Sequence, residues 1–232
     1  MYLHKIFLLT VILCINAAQA DNELRGWLQG PKNHNEVLQY ATQDGKPILV
    51  YFYTDWCPYC KRLNKDYISS PEFQELTTGF YRVQINPEKS KSGNKLFKYK
   101  YGGTGFPSVY VYIPKISKYR NNLSPFFKDG DLTQTEYVQL ISESIARDYN
   151  NKAFSYYKLK KYKITRDYLL KSLTYDMNNK YALLLLGSTY QQEGFDTGNK
   201  QLINKAKLLY EKILILYPGD KEALTALRDL NS

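Results

Sequence analysis

The sequence predicts an α/β unit built on a central sheet, followed by an all-α helical unit. Three observations point there. The apolar run Pro47-Ile48-Leu49-Val50-Tyr51-Phe52-Tyr53 leads into Trp56-Cys57-Pro58-Tyr59-Cys60, the pattern of a strand buried on both faces that ends where a Cys-x-x-Cys helix begins. Strand and helix signals then alternate as far as Asp148. Beyond it the strand signals vanish, and small and aromatic residues recur 34 positions apart.

Each element can be justified in order. Residues 21–34 are polar and carry Gly26, Gly30 and Pro31, which reads as a loosely held segment pinned by Trp27. Residues 35–42 form a short helix stopped at Asp44-Gly45. Residues 48–53 are a buried strand, and residues 56–67 a helix whose first turn holds both cysteines. Residues 71–76 extend or restart the helical stretch, and residues 80–85 are a second strand. Residues 94–101 form a short basic helix ended by Gly102-Gly103. Residues 108–113 are a third strand, in which Val109, Val111 and Ile113 alternate with Tyr110 and Tyr112. Residues 121–131 are rich in turn formers and hold a short strand around 125–128. Residues 133–148 are an amphipathic helix with Tyr137, Leu140, Ile141, Ser144 and Ile145 on one face.

Residues 1–20 have the three parts of a secretory signal: Lys5, the apolar stretch 6–15 broken only by Thr10, and the cleavage site Ala18-Gln19-Ala20. The apolar stretch is short for a membrane span of about 20 residues. Leu13 stands before Cys14, where a lipoprotein signal wants a small residue. The expected organisation is therefore a leader over 1–20, an α/β domain over 21–148 and a helical domain over 149–232. The expected location is an oxidising compartment, the bacterial periplasm or a comparable lumen.

Lys and Arg number 32 against 22 Asp and Glu, a formal net charge of +10. Basic residues cluster at Lys89, Lys91, Lys95, Lys98 and Lys100 and again at Lys158, Lys160, Lys161 and Lys163. Tyrosines interleave with both clusters, as at a nucleic-acid site. Export removes nucleic acid as a partner, which leaves solvated helix faces and peripheral contact with an anionic membrane surface.

Outside the leader the chain has two cysteines, Cys57 and Cys60. The reactive species of such a pair is a thiolate. Cys57 at a helix N-terminus meets unpaired N–H groups and the positive end of the helix dipole, which stabilise its anion. Lys61 and Arg62 add positive potential and Asp55 opposes them. Cys57 is expected to be the exposed nucleophile, and Cys60, deeper in the turn, the thiol that resolves the mixed disulfide. A structural disulfide or a Cu(I) site on the same pair are the alternatives. No Met lies near, and His34, the one histidine outside the leader, reads as a polar loop residue.

Gly45-Lys46-Pro47-Ile48-Leu49-Val50-Tyr51-Phe52, then Trp56-Cys57-Pro58-Tyr59-Cys60-Lys61, and later Thr104-Gly105-Phe106-Pro107-Ser108 resemble the thioredoxin superfamily over residues 35–148. The resemblance implies a thioredoxin-like fold and thiol–disulfide exchange without cofactor or metal. It implies a cis-proline at Pro107 facing the cysteine pair, and Phe106 main chain that pairs with a substrate segment. Trp56, Pro58, Tyr59, Phe106 and Pro107 are then substrate-binding positions. One departure stands out: Tyr51 occupies the place where thioredoxins carry a buried carboxylate. The Pro58-Tyr59 dipeptide is that of glutaredoxins. The whole looks most like exported domains such as the C-terminal domain of transmembrane thiol–disulfide interchange reductases.

Ala153 and Gly187, and Tyr156 and Tyr190, are each 34 residues apart. With Leu186-Gly187-x-x-Tyr190 this resembles tetratricopeptide repeats. The second repeat continues through Ala206, Tyr210, Leu214 and Pro218 and holds seven extra residues, expected as a longer turn near 195–203. Residues 221–230 form a closing helix. Two repeats are few for a free solenoid, so this part is expected to pack on or continue from the helix at 133–148.

The expected function is exported thiol–disulfide exchange through Cys57 and Cys60, reducing or isomerising protein disulfides, with a redox partner protein and a peptide or protein held by the repeats. A non-catalytic envelope scaffold and a Cys-pair metallochaperone are the competing classes.

Overall fold

A computed structural model describes Leu24, residues 26–118 and residues 120–231. The leader expected over 1–20 lies outside the described residues. The elements run β1 (Leu28–Gln29), α1 (Gly30–Asp44), β2 (Ile48–Phe52), α2 (Pro58–Leu63), a π-helical turn (Asn64–Ile68), α3 (Pro71–Thr77) and β3 (Tyr81–Ile85). A 3₁₀ turn (Pro87–Lys89), α4 (Lys91–Lys95), a second π-helical turn (Leu96–Lys100) and β4 (Ser108–Tyr112) follow. Five helices close the chain: α5 (Gln134–Tyr157), α6 (Tyr162–Tyr175), α7 (Lys180–Thr197), α8 (Lys200–Leu216) and α9 (Lys221–Asn231).

The sheet order is β1-β3-β2-β4, parallel except for β4. β2 is the centre, and its continuous apolar run follows from burial on both faces. Leu49, Tyr51 and Tyr53 join a core with α2, α3 and α5, while Ile48, Val50 and Phe52 join a second core under α1 and the Leu96–Lys100 turn. Each fully buried large side chain contributes roughly 1.5–3 kcal/mol. Phe52→Ala would break the second core most directly, at about 3–5 kcal/mol: its ring meets Phe97, Tyr101 and Tyr110 at 5.1, 5.2 and 6.0 Å.

Several expectations are corrected. Residues 28–34 are held in regular structure: Leu28 and Gln29 pair with Val83 and Gln84 as β1, and α1 starts at Gly30 with Pro31 in its first turn. Proline fits there because its missing N–H has no helical partner. His34 is therefore not a loop residue. It is fully buried in α1, and its Nε2 lies 2.7 Å from the Tyr101 hydroxyl. The strand expected around 125–128 does not form. One bridge, Tyr110 with Asn122, is all that pairs there, because Pro125 offers no N–H and the chain turns to bring Leu132 N to the Pro125 carbonyl at 2.9 Å.

The helix expected to stop at Asp148 runs on to Tyr157. Thr133 and Glu136 close its N-terminus as a reciprocal capping box. Tyr137, Ile141, Ile145 and Tyr149 serve the sheet core, whereas Ala153 serves the helical core with Leu169, Ala182, Leu185 and Leu186. The helical unit thus continues from the α/β unit through one shared helix. The seven extra residues of the second repeat lengthen α7 and α8, and the turn between them is only Gly198 and Asn199. Gly187 lets the Tyr210 ring approach: a Cβ there would stand 2.6 Å from its Cε1.

Candidate active site at the Cys57–Cys60 pair

β2 delivers the chain to the site, and Pro58 starts α2 one residue after Cys57. Cys57 is the N-cap, and its Sγ accepts a hydrogen bond from Cys60 N at 3.1 Å. The two residues are joined as a disulfide with their Cα atoms 5.2 Å apart. The expected exposure of Cys57 is corrected: it is 2% exposed and Cys60 is fully buried. The flanking rings stand out instead, Trp56 at 66% and Tyr59 at 53%. A partner must therefore pass between aromatic walls to reach Cys57.

The Phe106–Pro107 peptide is cis. Phe106 stacks on Phe97 with ring centroids 4.8 Å apart and meets the Trp56 ring edge-on at 6.4 Å. Gly103 permits this, because a Cβ there would collide with the Phe97 ring. A groove of about 440 Å³ runs from Tyr59 past Gly105, Phe106 and Pro107 to Phe126 and Phe127. Phe126 is 5.2 Å from Tyr59, centroid to centroid, and Phe127 is half exposed. The structure thus gathers Trp56, Cys57, Pro58, Tyr59, Cys60, Phe106 and Pro107 in one place. It adds Phe126, Phe127 and Glu88, whose carboxylate accepts the Trp56 indole N–H.

The electrostatics differ from the sequence expectation. Arg62 is not free to act on Cys57: it pairs with Asp131 at 2.7 Å and Asp66 at 3.6 Å and lies over the Phe126 ring. Asp55 pairs with Lys89 at 3.5 Å. Beneath the pair, Tyr51 is fully buried and its hydroxyl donates to the Cys60 carbonyl at 3.4 Å. Burial pushes its pKa far up, and Tyr137 and Tyr53 add to the rise. Tyr51 is therefore neutral and an O–H donor, with no capacity to take a proton as a carboxylate would. Together these groups present a disulfide at a helix start, a non-donating proline beside it and an aromatic groove, the parts an exchange reaction uses.

A thioredoxin-like family model matches residues 27–114, and this part of the chain is thioredoxin-like. A disulfide bond reductase DsbH of Chlamydia pneumoniae is 29% identical over 34% of this chain and 52% of its own. The thiol:disulfide interchange protein DsbD 1 of Pseudomonas aeruginosa is 25% identical over 38% of this chain and 15% of its own. The second TPR domain of human RPAP3, solved in complex with an HSP70 peptide, is 24% identical over 43% of this chain and 79% of its own, with a TM-score of 0.33. The chain spans about half the length of the DsbH it matches and less of DsbD.

Proposed function

We propose that the protein is an exported thiol–disulfide oxidoreductase that reduces or isomerises disulfides of other exported proteins, and that its helical repeats recruit a partner. The Cys57–Cys60 disulfide at the start of α2, beside cis-Pro107 and at the head of an aromatic groove, carries this reading. In the reduced protein the Cys57 thiolate attacks one sulfur of a substrate disulfide. The new S–S bond joins Cys57 to the substrate, and the other substrate sulfur leaves with the electron pair and takes a proton. Cys60 loses its proton and attacks Cys57. The substrate leaves as a dithiol, and Cys57–Cys60 holds the oxidation until a redox partner protein returns two electrons. Tyr51 is a neutral O–H donor, so the Cys60 proton goes to solvent or to the departing thiolate rather than to it.

Export fits the leader-like residues 1–20 and the chemistry of an oxidising compartment. Recruitment by the repeats is supported by a second groove, about 470 Å³, lined by Arg147, Asn150, Asn151, Asn179, Tyr181 and Tyr217 among others. The amide of Asn150 has a fixed orientation there. Asn179 Oδ1 accepts from Ala182 N at 2.9 Å, so it is an oxygen, and Asn150 must offer Nδ2 to it at 3.0 Å. That leaves the buried Asn150 Oδ1 with no partner among the described residues, and an acceptor in that state wants a donor.

Cys60→Ser in reduced cells is the test. It should accumulate mixed disulfides through Cys57, and the double variant lacking Cys57 should accumulate none. Trapping that survives loss of Cys57 would refute the roles.

A further inference from the structure

We infer that Glu88 is a positioning residue whose carboxylate holds the Trp56 indole as a fixed wall of the entrance to the cysteine pair. The inference rests on the exchange reaction proposed above.

Both Glu88 carboxylate oxygens accept the Trp56 Nε1–H, at 3.2 and 3.0 Å. The residue adjacent to each partner repeats the tie, Lys89 to Asp55 at 3.5 Å. Two adjacent residues on the turn after β3 thus clasp two adjacent residues just before Cys57. Glu88 is itself held: its N–H donates to Asn86 Oδ1 at 3.0 Å, and Asn86 is nearly buried. Gly93 packs against this turn, where a Cβ would reach the Pro87 Cα at 3.3 Å. The clasp therefore has a rigid base.

Trp56 needs such a tie. It is two-thirds exposed, and it meets the Phe106 ring only edge-on, at 6.4 Å. An exposed indole without an anchor samples several rotamers, and a substrate that docks against it must order it. Anchoring the ring beforehand removes that cost from docking. The effect belongs to substrate binding, since the bonds Glu88 makes run to Trp56 and Asn86 rather than to either sulfur.

The test compares Glu88→Ala, which removes the acceptor, with Glu88→Gln, which keeps an acceptor oxygen and removes the charge. Full-length protein is assayed for reduction of insulin, a protein disulfide substrate, and the Trp56 indole ¹H–¹⁵N resonance is followed in parallel. Glu88→Ala should raise KM about fivefold, about 1 kcal/mol, with kcat nearly unchanged. Its Trp56 resonance should move toward that of a free indole. Glu88→Gln should restore KM and resonance to near wild type. An unchanged KM in Glu88→Ala, or an equal rise in both variants, overturns the inference. If the wild type turns over no insulin, the exchange reading has failed. The resonance then decides the clasp by itself: a shift confined to Glu88→Ala upholds it and an unmoved resonance overturns it.

Discussion

Acidification should unfold this protein through His34. The imidazole is fully buried, with Nε2 2.7 Å from the Tyr101 hydroxyl, which in turn lies 2.8 Å from the Tyr112 hydroxyl. Arg120 lies over both tyrosine rings, 5.6 and 4.7 Å from their centroids. Burial, then the charge of Lys100 and, more weakly, that of Arg120, lower the His34 pKa from 6.5 to about 4 against an opposing bond to Asn35. The sign follows directly. Between about pH 6.5 and 4 the unfolded chain binds a proton at His34 that the folded protein refuses, so stability is full above 6.5 and falls as pH drops. A displacement of that size corresponds to about 3 kcal/mol, a large share of the 5–15 kcal/mol of a typical domain. Burial raises the Asp148 pKa, which has the opposite sign, but that group is common to both proteins compared. Urea unfolding of wild type and His34→Gln at several pH values from 7 to 4 isolates the histidine. The variant starts lower, having lost the imidazole, but its curve against pH should be flatter by about 3 kcal/mol. Parallel curves, or an imidazole that titrates near 6.5 by NMR in the folded protein, would refute the reasoning.

Three further outcomes are expected. Gly103→Ala drives a Cβ into the Phe97 ring that stacks on Phe106, so it should cost about 1–3 kcal/mol and also raise KM for protein disulfides; an unchanged Tm sinks it. Gly187→Ala crowds Tyr210 and should destabilise the α7–α8 pair by a similar amount less the roughly 1 kcal/mol that alanine returns to a helix; this is read by hydrogen exchange in the two helices. A chain ended after Tyr157 should keep small-disulfide turnover and lose its partner, whereas one ended at Asp148 should also lose stability, because Tyr149 belongs to the sheet core. Equal melting of the two truncations would contradict the sharing of α5.

The parts of the site that lie together in the chain were legible. Trp56 to Cys60 is one contiguous motif, β2 is one apolar run, and Gly105-Phe106-Pro107 has its own signature. The 34-residue spacing likewise announced paired helices, because Ala153 and Tyr156 near the end of α5 stand at that period from Gly187 and Tyr190 in α7. What escaped was whatever depends on distant partners. β1 is two half-exposed residues with no periodicity to betray a strand. His34 sits among Asn33, Asn35 and Glu36 and looks polar; its burial is set by Tyr101, 67 positions on. Glu88 meets Trp56 across 32 residues, and Arg62 is neutralised by Asp131, which no local pattern pairs with it. The end of α5 is hidden from local pattern for another reason. A helix that changes its packing partner midway keeps a helical pattern throughout, and the domain boundary leaves no break.

The central claim is that Cys57–Cys60 trades electrons with other proteins rather than stapling α2 to its own start. Equilibration of the protein in glutathione buffers of graded potential, followed by acid quenching and mass analysis of alkylated thiols, tests it most directly. The account predicts one two-electron transition at Cys57 and Cys60, within the range of about −120 to −270 mV covered by exchange proteins. A pair that remains oxidised below about −300 mV, as structural disulfides do, would contradict it.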